Sequence, residues 1–336
     1  MPCCWTGRRW PTACQWARAC SSAANRSTAW PWRAPAGRWR VSASTIAAAG
    51  AAARRRAAWA NPEPLAFNHV DSMTSNSLSA APRIAPWHWG LPLLVAAVTA
   101  PLWLGFYEPT VFYFLNRQFA VLPDIVWSLL SLFGTGWAVY AATAPTLWRS
   151  PRIILSWLCA APLAGALTRV GKMVADNPRP LEVLGPQGIN VIGEPLYIAA
   201  MPSGHSMTAF AAASAIYFSL APQGRQRLLW LFVLAFGVAC SRVAVGAHWP
   251  ADASIGAVAG LLSGLTGAWM AARIPERHLQ PQSWLMRGVA LFGGYCLYVL
   301  LTDKMGFAIN LPYQYVLGAF LAVCLALFAR RSLQAR

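Results

Sequence analysis

The chain has 336 residues, of which 57% are hydrophobic, only 11% are charged and 18 are Trp. Soluble domains carry roughly 25% charged residues, so this depletion excludes an ordinary water-soluble fold and points to a bilayer as solvent. The formal net charge of +17 argues only weakly for nucleic acid, and no such partner is expected, because beyond the N-terminal region the basic residues punctuate apolar runs and form no polar basic stripe.

Residues 1–72 hold ten Arg, no Lys, two acids and seven Trp, with no sustained helical or strand period. The weakly apolar run 46–53 is followed by Arg54, Arg55 and Arg56, the reverse of a secretory signal, whose positive charge precedes its apolar core. The Arg-rich, acid-poor composition is also that of an organellar transit peptide. The favoured expectation is a disordered extension upstream of Met73, with Met73 as the candidate initiator. Cys3, Cys4, Cys14 and Cys20 lie here without a zinc-ligand spacing or a nearby His, whereas Cys159, Cys240, Cys296 and Cys324 sit in apolar runs as small buried hydrophobes.

From Trp87 onward, apolar runs of membrane-crossing length follow one another at 89–107, 124–147, 152–171, 206–221, 228–246, 251–272, 285–302 and 312–329. The expected fold is therefore all-α, a multi-pass transmembrane helical bundle with a six-span core over 87–272. Residues 273–336 add two spans and a basic tail. Trp87, His88 and Trp89 open the first span as interfacial residues. With the N-terminus inside, cytoplasmic turns receive Arg149, Arg152, Arg225, Arg227, Arg273, Arg277 and Arg287, together with the C-terminal Arg330, Arg331 and Arg336. That one-sided bias gives eight spans with both ends inside.

The exception is a polar stretch at 172–205 on the opposite face. It opens with Lys172 and Arg179-Pro180 and closes with Pro202-Ser203-Gly204-His205. A third cluster, Ser241-Arg242, His248 and Asp252, follows the fifth span and falls on the same face by the span count. Lys172, Arg179 and Arg242 are cations placed where an unpaired charge is costly, and Arg presents a fork suited to phosphate oxygens. Ser203-Gly204 at a helix start offers free N–H groups to an anion. The four-residue spacing of His248 and Asp252 puts them on one helical face, where a carboxylate fixes the tautomer of an attacking imidazole. His205 is then the proton donor to the leaving oxygen. Each element alone is an ordinary surface pair, helix start or snorkelling cation; their joint order and common sidedness carry the reading.

The three clusters together resemble the phosphatidic acid phosphatase type 2 (PAP2) superfamily, which also contains vanadium-dependent haloperoxidases. Its pattern of Lys-x6-Arg-Pro, Pro-Ser-Gly-His and Ser-Arg-x5-His-x3-Asp is present without departure, and the resemblance spans roughly 87–272. It implies a phosphohistidine on His248 oriented by Asp252, His205 as general acid, and phosphate contacts from Lys172, Arg179, Ser203, Gly204 and Arg242. It implies no metal and no cofactor, with Ser241 mainly structural. The partner implied is a lipid phosphate substrate, with undecaprenyl pyrophosphate first and phosphatidylglycerol phosphate, phosphatidic acid and the lipid A 1-phosphate as rivals. A lipid-linked phosphotransferase is the main alternative, and an anion channel or transporter a weaker one. The expected location is a bacterial inner membrane with the site facing outward. The last two spans carry no catalytic cluster and are expected to pack or face lipid, with substrate access or homodimer contacts as the second use. The segment 181–201, broken by Gly and Pro, is expected as a short interfacial cover over the site.

Overall fold

The computed structural model describes residues 84–105 and 109–334; the expectations for 1–72 and Met73 lie outside them. The described residues are helical and loop only, with no strand. In chain order the helices are α1 Leu91–Leu104, α2 Pro109–Phe119, α3 Asp124–Leu132, α4 Gly136–Thr143, α5 Thr146–Arg149, α6 Pro151–Ala175 and α7 Pro180–Leu184. They continue with α8 Gly204–Phe218, α9 Pro222–Arg225, α10 Trp230–Ala244, α11 Pro250–Ala271, α12 Trp284–Thr302 and α13 Leu311–Gln334.

All eight apolar runs fall on helices, but not all as plain spans. Among the described residues six helical stretches are long and apolar enough to cross a membrane, and α3 with α4 makes a seventh if taken as one span bent by 76°. The remaining run is α8, which has only 15 residues. At 1.5 Å per residue that is about 22 Å, short of a hydrocarbon core about 30 Å thick. Helix α8 is instead sheathed by α6, α10 and α11, so protein replaces lipid around most of it. Three described helices lie outside the apolar runs, the short α7 and α9 and the longer α2, which buries Phe112 and Asn116 one turn apart and leaves Arg117 and Gln118 exposed.

The most extensive packing is between α8 and α11. A Cβ added at Gly256, Gly260 or Gly264 would lie 2.6, 2.5 and 2.5 Å from the carbonyl oxygens of Ser203, Met207 and Ala211. Four-residue spacing puts these glycines on one helix face, and small side chains there let two backbones touch, the usual device of helix pairs in lipid. Gly267 does the same against α6, where its Cβ would lie 2.3 Å from the Ser156 oxygen. The contact fixes the N-terminus of α8 beside that of α11, and the Ser203 amide donates to the Asp252 carbonyl oxygen at 3.0 Å.

The bundle has a basic end. Arg152 at the start of α6 donates to the Ala271 carbonyl at 2.8 Å and pairs with Glu276 at 2.5 Å. Arg287 donates to Ser332 Oγ at 3.2 Å, and the Arg331 guanidinium lies 5.3 Å from the Trp148 ring. His88 belongs to the same end, with Nε2 3.3 Å from Arg225. It was expected at an interface but is only 3% exposed, because Trp87 and Phe218 enclose its ring. Helix α6 then carries the chain 25 residues, about 37 Å, from Arg152 to the motif end.

Helices α12 and α13 pair with one another and lean on the bent second run. Tyr140 of α4 donates to the Val289 carbonyl oxygen of α12 at 2.6 Å.

Candidate active site

Lys172 occupies the last turn of α6, and its Nζ donates to the Ala199 carbonyl at 3.0 Å. Arg179 caps α7 and is 6% exposed. Its guanidinium donates to the carbonyls of Ile198 at 2.7 Å, Ala247 at 2.8 Å and Ala199 at 3.4 Å. A buried cation needs such compensation, and carbonyl dipoles give it without cancelling its charge as a carboxylate would. The segment 181–201 thus lies against the site as a strap whose carbonyls hold both cations. Asn116 of α2 pins it further: its Oδ1 accepts from the Asn190 amide at 2.7 Å, while its Nδ2 donates to the carbonyls of Asn190, Val243 and Ala244 at 3.0–3.1 Å.

Arg242, 3% exposed, sits in the last turn of α10. Its Nη1 donates to Ser131 Oγ at 2.9 Å. Ser241 Oγ donates to the Val238 carbonyl at 2.6 Å and lies 2.9 Å from Ser131 Oγ. With the Ser241 proton so committed, Ser131 donates to Ser241 and accepts from Arg242. Arg242 Nε is buried and has no protein partner, so a donor remains for an anion. The guanidinium lies 5.9 Å from the Phe307 ring.

The turn between α10 and α11 presents His248, 2% exposed. Gly246 makes the turn at φ +73, and a Cβ there would lie 2.8 Å from the Asn190 oxygen. The His248 amide donates to the Arg242 carbonyl at 3.1 Å. Its Nε2 is 3.3 Å from Arg179 Nη1, and its Nδ1 is 3.4 Å from Asp252 Oδ2. Arg179 can only donate, so Nε2 accepts and Nδ1 carries the proton toward the carboxylate. That carboxylate oxygen also accepts from the Trp249 amide at 2.9 Å. Burial first, then the charges of Arg179, Arg242 and Lys172, hold the His248 pKa well below its ordinary value. His248 is therefore a neutral imidazole with its lone pair facing the cations.

Ser203 caps α8, its Oγ accepting from the Ser206 amide at 3.4 Å and from Ser206 Oγ at 3.1 Å. Because its own N–H is taken by Asp252, the backbone donors at this helix start belong to Gly204 and His205. His205 is half-buried and its ring has no hydrogen-bond partner among the described residues. The break between α3 and α4 passes directly behind it: a Cβ at Gly134 would lie 2.7 Å from His205 Cβ.

All eight expected site residues therefore gather at one end of the bundle: Lys172, Arg179, Ser203, Gly204, His205, Arg242, His248 and Asp252. A cavity of about 520 Å³ starts at Lys172, Gly204 and His205 and runs between helices past Thr168, Ala164, Trp157 and Trp137. Sequence reasoning missed Ser131, Asn116, Gly134 and Phe307. Among the described residues no group of three His, Cys, Asp or Glu side chains gathers as a metal-ligand set.

A neutral histidine oriented by a carboxylate and flanked by cations is equipped to attack phosphorus, and an apolar groove begins beside it at Lys172, Gly204 and His205. Residues 153–277 match the family model of the PAP2 superfamily. All three signature clusters lie inside the match; α12 and α13 lie beyond it. The chain is 28% identical over 168 residues to the bacitracin transport permease protein BcrC of Bacillus licheniformis, covering 49% of this chain and 79% of that one. Among solved structures it is similar to the LpxE of Aquifex aeolicus, at 23% identity with a TM-score of 0.41, covering 47% of this chain and 92% of that one.

Proposed function

We propose that the protein hydrolyses a lipid phosphate or diphosphate through a phosphohistidine on His248. The observation that carries this reading is the setting of that ring, with Asp252 on one nitrogen and Arg179 on the other. The lipid phosphate displaces the Arg179–His248 contact, and its oxygens take up donors from Lys172, Arg179, Arg242, Ser203 Oγ and the start of α8. Nε2 attacks phosphorus, the bond from phosphorus to the lipid oxygen breaks, and His205 supplies the proton that the oxygen needs. Asp252 stabilises the positive charge that develops on His248. Three cations disfavour a further positive charge on His205, so the arriving phosphate dianion is what makes its protonated form affordable. Water then attacks the phosphohistidine, His205 takes its proton, and inorganic phosphate leaves.

Long isoprenoid or acyl tails suit the apolar groove beyond Lys172, and undecaprenyl pyrophosphate is the first substrate to test. The basic end of the bundle supports an outward-facing site in a bacterial inner membrane. The name of the relative BcrC speaks of transport; a carboxylate-oriented histidine among cations serves nucleophilic attack on phosphorus and has no evident use in a conduit, which favours hydrolysis. The purified chain is expected to release phosphate from undecaprenyl pyrophosphate, phosphatidylglycerol phosphate or phosphatidic acid at the same rate with and without EDTA. A rate abolished by EDTA and restored by Mg²⁺ contradicts the metal-free reading. Label passing to a second lipid with little free phosphate means phosphotransfer instead.

The depressed pKa of His248 fixes the sign of one pH effect. Protonation disables the nucleophile, and a lowered pKa moves that loss to more acid pH. The acid limb of kcat/KM is expected below pH 6.5, the ordinary histidine value. A limb at or above 6.5 that does not follow the lipid phosphate's own ionisation assigns the nucleophile to another group.

A further inference from the structure

His205 borders two cavities. The first is the apolar groove; its lining residues Ala161, Gly165 and Arg169 are exposed along α6. The second, of about 240 Å³, lies on the other side of His205 and is lined by Arg242, Leu196, Met305, Gly306 and Phe307. Apart from His205 and Arg242 at helix ends its walls are loops, and it opens beside the exposed Glu194 and Leu196. The outer wall comes from the connection between α12 and α13, outside the family match.

That connection is held firmly. The Gly306 carbonyl accepts from the Glu194 amide at 3.0 Å, and a Cβ at Gly193 would lie 2.5 Å from the same oxygen. Asn310 Nδ2 donates to the Ser128 carbonyl at 2.8 Å. Phe307 is 7% exposed and lies against Arg242.

We infer that this second cavity is the acceptor subsite: it admits water, or a small water-soluble alcohol, to the phosphohistidine while the lipid alcohol still occupies the groove. The inference rests on the phosphohistidine reading above. In-line displacement requires the acceptor oxygen to approach phosphorus opposite His248 Nε2, on the side the lipid oxygen has left, where His205 stands. The acceptor oxygen forms a bond to phosphorus, the bond from phosphorus to His248 breaks, and the acceptor proton passes to His205. With water the product is inorganic phosphate; with an alcohol it is a phosphate monoester. A cavity that reaches His205 from the loop end serves this step without crossing the groove. The last two helices then belong to the reaction, because their connecting loop forms the acceptor's wall.

Rapid quench of the full chain with ³²P-labelled lipid separates phosphoenzyme formation from its decay. Leu196→Trp and Met305→Trp fill the second cavity; Gly165→Trp fills the groove. The two cavity variants are expected to form phosphoenzyme at a rate within about 3-fold of wild type and to lose it at least about 10-fold more slowly. Their steady-state kcat and KM fall together, so kcat/KM holds. Gly165→Trp is expected to slow formation and leave decay unchanged. Normal formation in a cavity variant also shows that it is folded. Decay at the wild-type rate in both cavity variants, or equal slowing of formation and decay, overturns the acceptor subsite. A wild-type chain that forms no phosphoenzyme overturns the phosphohistidine reading and this one with it.

Discussion

His248→Ala is expected to lose at least about 10³-fold in kcat/KM, or about 4 kcal/mol of transition-state stabilisation. The reason is geometric. Neighbouring side chains place three cations around the ring, but none offers a second lone pair at the same point. Lys172 and Arg179 are cationic donors, and the Asp252 carboxylate sits behind Nδ1 with Oδ2 already accepting from Trp249. Asp252→Asn should show a smaller loss than His248→Ala, since Asn retains an acceptor for that backbone bond while losing the charge that stabilises the developing imidazolium. Equal phosphate release by wild type and His248→Ala, with matched protein in the assay, removes His248 from the chemistry.

The second large effect is structural. Gly260→Leu is expected to destabilise the protein by about 3 kcal/mol, through overpacking against a neighbour that cannot yield. A Cβ at this position meets the Met207 carbonyl at 2.5 Å and the Ala211 amide nitrogen at 3.1 Å, and both are helix backbone. Relief requires α8 and α11 to separate, which pulls Ser203 and His205 away from Asp252. Gly165→Ala is the control: its Cβ would meet nothing within 4 Å, and replacing Gly by Ala in a helix gains up to about 1 kcal/mol. Thermal unfolding in detergent, followed by loss of monodispersity, should rank Gly165→Ala at or above wild type and Gly260→Leu well below both. A Gly260→Leu protein as stable as wild type would mean that the two helices are not in backbone contact.

The motif residues were legible because their chemistry is local. Lys172 and Arg179, Ser203 to His205, and Arg242 to Asp252 occupy short stretches whose spacing survives in sequence, and the span count put all three at one end. Their supporting groups are not local. Ser131 meets Arg242 across 111 positions and Asn116 meets Val243 across 127, and neither pairing leaves a periodic trace. Phe307 was hidden in a connection that reads as an ordinary turn. Hydropathy located the apolar runs but could not distinguish a helix surrounded by lipid from one sheathed in protein, so α8 was expected as a full span. It was equally blind to the bend between α3 and α4, where Gly134 was the visible cue: its missing side chain leaves room for His205. The short amphipathic α2 escaped because its buried positions are only Phe112 and Asn116, too few for an apolar run.

The central claim is that phosphate passes through His248. Its most direct test is rapid acid-free quench of the wild-type chain with labelled lipid phosphate or diphosphate, followed by peptide mass spectrometry. A transient phosphoryl group, labile to acid and stable to base, is expected on the peptide carrying His248, absent in His248→Ala and decaying as free phosphate appears. Phosphate release with no label on that peptide at any time, or label on another residue, would contradict it.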